Sequence, residues 1–293
     1  MSETPTITQA MIKAYDDYTH LTLDRRGFMD KLTRLAGSGA AAAAIVPLLA
    51  AQKAAAQQID EDDERIEAED MSYAGADGAE MTGYLVRPAD ASGPLPGVIV
   101  IHENRGLNPH IRDVARRMAL EGFVALAPDF LSPAGGTPEN EDQARELIGQ
   151  LDGEANIGNG VATIAFLADH EATNGNVGAV GFCWGGGMVN DLAVASTDLG
   201  AGVAYYGRQA AAEDVPAIEA PLMLHYAGLD ERINAGIEAY EAALRENGKE
   251  YVLHMYDGVN HAFNNDTSAA RYDAAAAEQA WERTVAFFKE HLA

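Results

Sequence analysis

A single cysteine, Cys183, stands in the 293 residues. No intramolecular disulfide can staple this chain, and no metal site can be assembled from several thiolates. Positive charge is also scarce: 20 lysines and arginines face 45 aspartates and glutamates, for a formal net charge of -25. So acidic a surface disfavours nucleic acid and anionic membranes as partners and favours solubility. His, Asp and Glu do not cluster at metal-ligand spacing, so the sequence implies no metal and no organic cofactor. The uncharged run Leu35 to Ala51 is alanine-rich and too weakly apolar for stable membrane insertion.

What is present centres on Val177-Gly178-Ala179-Val180-Gly181-Phe182-Cys183-Trp184-Gly185-Gly186-Gly187. An apolar run ends in Gly-x-Cys-x-Gly and passes into small residues and a helical pattern. That is the sequence form of a nucleophile elbow with cysteine in place of serine. Gly181 and Gly185 are expected because the turn is strained and closely packed. A sulfur at a helix N-terminus is favoured as thiolate by the dipole and the free amides. On this motif alone, a buried structural cysteine beside a glycine-rich turn remains the alternative.

The first 56 residues read as a signal segment. Arg25-Arg26-Gly27-Phe28 precedes the uncharged run, and Ala54-Ala55-Ala56 offers a small-residue cleavage site. The arginine pair resembles a twin-arginine signal, which implies the export machinery as a partner and a periplasmic location. The alternative is a cytoplasmic protein with a loose alanine-rich helix. Residues 57–70 are strongly acidic and read as a linker. From 71 to 293, strands alternate with helices: Val98-Ile99-Val100-Ile101 and Phe123-Val124-Ala125-Leu126-Ala127 are continuous apolar runs, as strands buried on both faces require. This alternation predicts one α/β domain, a doubly wound, mostly parallel sheet with helices on both faces. Residues 131–140, rich in Pro, Gly, Ser and Asn, read as a loop belonging to a lid.

Ligands gather at the carboxyl ends of strands in such sheets. Three polar groups fall there in order: Cys183, then Asp230 after Leu222-Met223-Leu224-His225-Tyr226, then His261 after the last strand. Nucleophile, acid, histidine is the chain order of α/β-hydrolases. His261 would act as base toward the thiol, and Asp230 would fix its tautomer. Taken singly, Asp230 could merely cap the helix that follows it. Acyl transfer also needs two N–H donors for the oxyanion, expected from the backbone amides of Trp184 and Asn104. The Trp184 ring either shapes the pocket or packs in the core.

His102-Glu103-Asn104-Arg105-Gly106, Pro128-Asp129, Gly181-Phe182-Cys183-Trp184-Gly185-Gly186, Ala227-Gly228-Leu229-Asp230 and Asn260-His261-Ala262-Phe263 together resemble the dienelactone hydrolase (carboxymethylenebutenolidase) family over roughly residues 70–293. The resemblance implies hydrolysis of an enol-lactone or small ester through a thioester acyl-enzyme. It also implies that Glu103 holds the resting thiol and takes part in its activation. Family members follow the histidine with a serine and then an arginine that bind a substrate carboxylate; Ala262 and Asn265 stand there instead. Another family arginine, ahead of the elbow, has Glu141 at its place, with Arg145 one turn away. Arg105, Arg145 and Arg208 are the candidate replacements. The alternative functions are a broad carboxylesterase and a turnover-deficient binding protein on a hydrolase scaffold.

Overall fold

Val98, Ile99, Val100 and Ile101 are all fully buried, the condition a continuous apolar run signals. The computed structural model describes residues 6–50 and 57–293. Eight strands form one sheet: β1 (Ile66–Ala74), β2 (Glu80–Pro88), β3 (Leu95–Ile101), β4 (Val124–Asp129), β5 (Thr173–Phe182), β6 (Leu199–Tyr205), β7 (Leu222–Ala227) and β8 (Tyr251–Tyr256). Their order is β1-β2-β4-β3-β5-β6-β7-β8. The β1–β2 and β2–β4 pairs are antiparallel; every pairing from β4 through β3 to β8 is parallel. This is an α/β-hydrolase fold.

Adjacent residues of a strand point to opposite faces, so each buried strand feeds two cores. On one face Val98 and Val100 join Ile111, Val114 and Met118 of α4 (Pro109–Leu120) and Val285 and Phe288 of α10 (Ala274–His291). On the other, Ile99 and Ile101 meet α6 (Gly153–Ala168), α7 (Trp184–Ala195) and α9 (Ile237–Glu246) through Leu167, Leu192 and Leu244. Between these lie α5 (Glu141–Gln150) and the one-turn α8 (Glu231–Asn234).

One boundary differs from the sequence expectation. Residues 66–70, assigned to an acidic linker, are the first half of β1, whose Glu67, Glu69 and Asp70 are solvent-facing. Charge on an edge strand discourages pairing with another chain, and it masked the strand. The preceding turn is fastened too: fully buried Asp113 accepts from the amides of Gln58 and Ile59 at 3.0 and 2.8 Å. The expected loop at 131–140 is fastened to the end of β4, where Asp129 accepts from the Leu131 and Thr137 amides and the Thr137 hydroxyl.

The N-terminal segment folds into three helices, α1 (Gln9–Thr19), α2 (Arg25–Ala36) and α3 (Gly39–Leu49). Asp24 caps α2 by accepting from Gly27 N at 2.7 Å, and Gly37 ends it in the left-handed conformation only glycine adopts freely. Met11, Tyr15, Phe28, Leu32, Ile45 and Leu49 close a small separate core. Among the described residues no single helix is long and apolar enough to cross a membrane; α2 and α3 reach that length only as a pair bent by 110°. The Ala54-Ala55-Ala56 cleavage site lies outside the described residues.

Candidate active site

β5 ends at Phe182 and α7 begins at Trp184, so Cys183 alone makes the turn between them. It does so at φ 56°, ψ -109°, a strained backbone for a residue with a Cβ. Close packing explains the flanking glycines. A Cβ on Gly181 would sit 2.1 Å from the Gly185 carbonyl oxygen, and one on Gly185 2.5 Å from that of Ile101. As the first residue of α7, Trp184 has no helical carbonyl for its amide to reach. Its ring stacks on His102 at 5.3 Å and also lines the cavity in front of Cys183, so it serves both core and pocket.

Asp230 follows β7 and His261 follows β8, as the parallel sheet requires. One carboxylate oxygen of Asp230 accepts from Ile233 N at 3.2 Å and so caps α8; the other lies 2.5 Å from His261 Nδ1. One oxygen thus caps α8 while the other engages the histidine. Its Nδ1 thus engaged, the buried His261 has no hydrogen-bond partner for Nε2 among the described residues. Ring nitrogens of His261 and His20 and the Cys183 sulfur all lie within 4.8 Å of one another.

Burial by itself pushes the Cys183 thiol up, but positive charge on His261 and His20 outweighs it and holds the thiol at about 6. Burial likewise disfavours charge on His261, yet Cys183, Asp230 and Asp16 together hold it well above the ordinary histidine range. The site therefore favours a thiolate–imidazolium pair. A cavity of about 340 Å³ opens in front of the sulfur, lined by His20, Asn104, Trp184, Tyr206, Arg208 and His261 among others. Two histidines and a thiolate are also a set that could hold a transition metal such as zinc, a convergence that sequence spacing concealed.

The profile of the Dienelactone hydrolase family matches residues 81–292. A protein of Escherichia coli strain K12, provisionally named carboxymethylenebutenolidase, is 32% identical over 229 residues, covering 73% of this chain and 84% of that one. Protein usf of Aquifex pyrophilus is 36% identical over 226 residues, covering 73% and 95%. A crystal structure from Klebsiella pneumoniae, provisionally designated a dienelactone hydrolase, superposes with a TM-score of 0.69 at 29% identity, over 76% of this chain and 98% of that one. The chain belongs to the dienelactone hydrolase family. It is a carboxylic ester hydrolase by that membership, and its N-terminal helices lie outside the matched region.

Against the family expectation, Glu103 does not hold the thiol. Its carboxylate accepts from Asn265 Nδ2 at 2.7 Å. Burial disfavours its charge, but His110, Arg105 and Arg271 more than offset this and keep it ionised. The residue standing at an expected anion-binding arginine, Asn265, is therefore spent on Glu103. The sulfur's partner is His20 instead, with Nε2 at 3.3 Å.

The three candidate substrate arginines separate. Arg105 is buried away from the cavity, donating to the Tyr15 hydroxyl at 2.9 Å and facing Glu141 at 3.4 Å. Arg145 lines the cavity but pairs with Asp142 and lies over the Tyr18 ring at 4.2 Å. Arg208 lines it with a partly exposed side chain bonded to Asp191 at 2.5 Å. Asn104 reaches the cavity, its side-chain amide donating to Thr19 O at 2.7 Å. The sequence offered no sign of Tyr206, whose buried hydroxyl has no partner among the described residues and whose ring lies 4.9 Å from His261. Asp16 and His20 went unnoticed too, although their separation of four residues puts them on one helix face.

Proposed function

We propose that this enzyme hydrolyses enol-lactones or small carboxylic esters through a thioester on Cys183. The observation that carries the reading is the convergence of the strained Cys183 turn with the Asp230–His261 pair at the carboxyl edge of one sheet. The thiolate adds to the ester carbonyl, and the backbone amides of Trp184 and Asn104 receive the oxyanion. The tetrahedral adduct expels the alkoxide, which takes a proton from imidazolium. Water then gives a proton to neutral His261 Nε2 as its oxygen attacks the thioester, and the carboxylic acid leaves with return of the thiolate. Arg208 and Arg145 would orient a substrate carboxylate from the cavity wall.

A broader carboxylesterase activity is favoured by one observation: Ala262 and Asn265 replace anion-binding groups, and Asn265 is already engaged with Glu103. Turnover of p-nitrophenyl esters and of enol-lactones by wild type and Cys183→Ala tests both. Loss of activity in the variant, with a trapped acyl adduct on Cys183 by intact mass, is the expected result. Equal activity in the two proteins refutes the mechanism, and preference for uncharged esters decides for the broader esterase.

A further inference from the structure

We propose that Asp16 of α1 and His20, which ends that helix, form a second acid–histidine pair that acts on Cys183, so that the N-terminal helices are a working part of the active site. The inference rests on the thiol chemistry proposed above and adds a residue that lies outside the family match.

His20 meets the sulfur through Nε2 at 3.3 Å, while its Nδ1 is held by the Asp16 carbonyl at 2.8 Å and faces the Asp16 carboxylate at 3.3 Å. The His261 ring of the Asp230–His261 pair lies beside the same sulfur, meeting the His20 ring edge to face at 4.7 Å. One thiol thus faces two acid–histidine pairs. The charged or titratable groups facing His20 are Asp16 on its own helix, Cys183 on the elbow and His261 after β8, with Arg271 acting on Asp16. Burial pushes His20 down, but the Cys183 charge and Asp16 raise it to about 9, so it is cationic where the thiol is ionised.

The helix is anchored to loops at the carboxyl edge of the sheet. Gln9 donates to Asn260 at 2.5 Å, Arg105 to the Tyr15 hydroxyl, Asn104 to Thr19 O, and Arg145 to Tyr18 O at 3.3 Å. Arg105 and Arg145 therefore position α1, Arg145 while also lining the cavity. Thr19, His20 and Leu21 line the cavity that stays open beside the sulfur, so the segment is a wall of the site and not a plug. In the resting enzyme the S–H proton passes to His20 Nε2, giving thiolate and imidazolium. His20 keeps that proton and its charge beside the sulfur. After attack on the carbonyl, imidazolium His261 gives its proton to the departing alkoxide and, then neutral, takes one from the water of deacylation. A segment whose sequence reads as an export signal can serve here only if it is retained.

Iodoacetamide alkylation of the full chain reads the pairing directly, because Cys183 is its one cysteine. His20→Gln should raise the pH midpoint of alkylation by about one unit and slow alkylation below that midpoint roughly tenfold, with Asp16→Asn moving it less in the same direction. Ester turnover should lose kcat more than KM in His20→Gln, and added imidazole should restore part of it to His20→Gly. A wild-type midpoint together with wild-type kcat in His20→Gln overturns the proposal. So does an active protein in the native host that lacks Asp16 and His20 by intact mass. If Cys183→Ala still turns over esters, the thioester mechanism fails, and the alkylation midpoints still decide whether His20 governs the thiol.

Discussion

Asp230→Asn separates the two roles of one buried side chain. Asparagine keeps the shape and an oxygen able to accept from Ile233 N, so the cap on α8 survives. What is lost is the negative charge 2.5 Å from His261 Nδ1, in a pair almost wholly removed from water. Two unit charges ~4 Å apart attract by about 4 kcal/mol at an effective dielectric of roughly 20. The imidazolium is destabilised by that order, and at about 1.4 kcal/mol per decade the rate should fall roughly a thousandfold. A variant amide that donates to Nδ1 would impose the wrong tautomer and deepen the loss. The measurement is kcat/KM for p-nitrophenyl acetate near neutral pH, with thermal unfolding as the control for folding. Activity within tenfold of wild type, in a protein of unchanged Tm, refutes the reasoning and leaves Asp230 as a helix cap only.

Gly185→Ala should misplace the thiol, since its Cβ would press on the carbonyl oxygens of Ile101 and His102 at 2.5 and 2.6 Å, backbone that cannot rotate away. A cost of about 1–3 kcal/mol and an activity loss on the order of a hundredfold are expected in unfolding and esterase assays. Asp113→Ala removes the buried acceptor of Gln58, Ile59 and Arg117 and leaves Arg116 without its charge partner. Loss of about 3–5 kcal/mol should lower Tm by on the order of 10 °C while leaving kcat below the transition unchanged. For the wild-type thiol, a folded value of about 6 lies below that of a free cysteine. Its alkylation rate should therefore rise through about pH 6 and level off, whereas the urea-unfolded chain should rise only near pH 8.5. A folded midpoint at the unfolded value would deny any stabilised thiolate.

The sequence by itself determined the elbow, the sheet and the order of Cys183, Asp230 and His261. Those features are local: a run of apolar residues must be buried on both faces, and the turn between β5 and α7 admits only glycine two residues before and two residues after Cys183. Only the tertiary structure decided which polar groups meet. Cys183 and His20 are 163 residues apart, and nothing in the composition of a polar N-terminus marks a histidine that will cross the mouth of the sheet. The partners of Glu103, Arg105 and Arg145 were equally hidden. A charged side chain in a buried site takes whichever opposite charge, hydrogen-bond partner or aromatic face the fold brings within reach, and three such partners (Asn265, Tyr15 and Tyr18) come from segments distant in the chain.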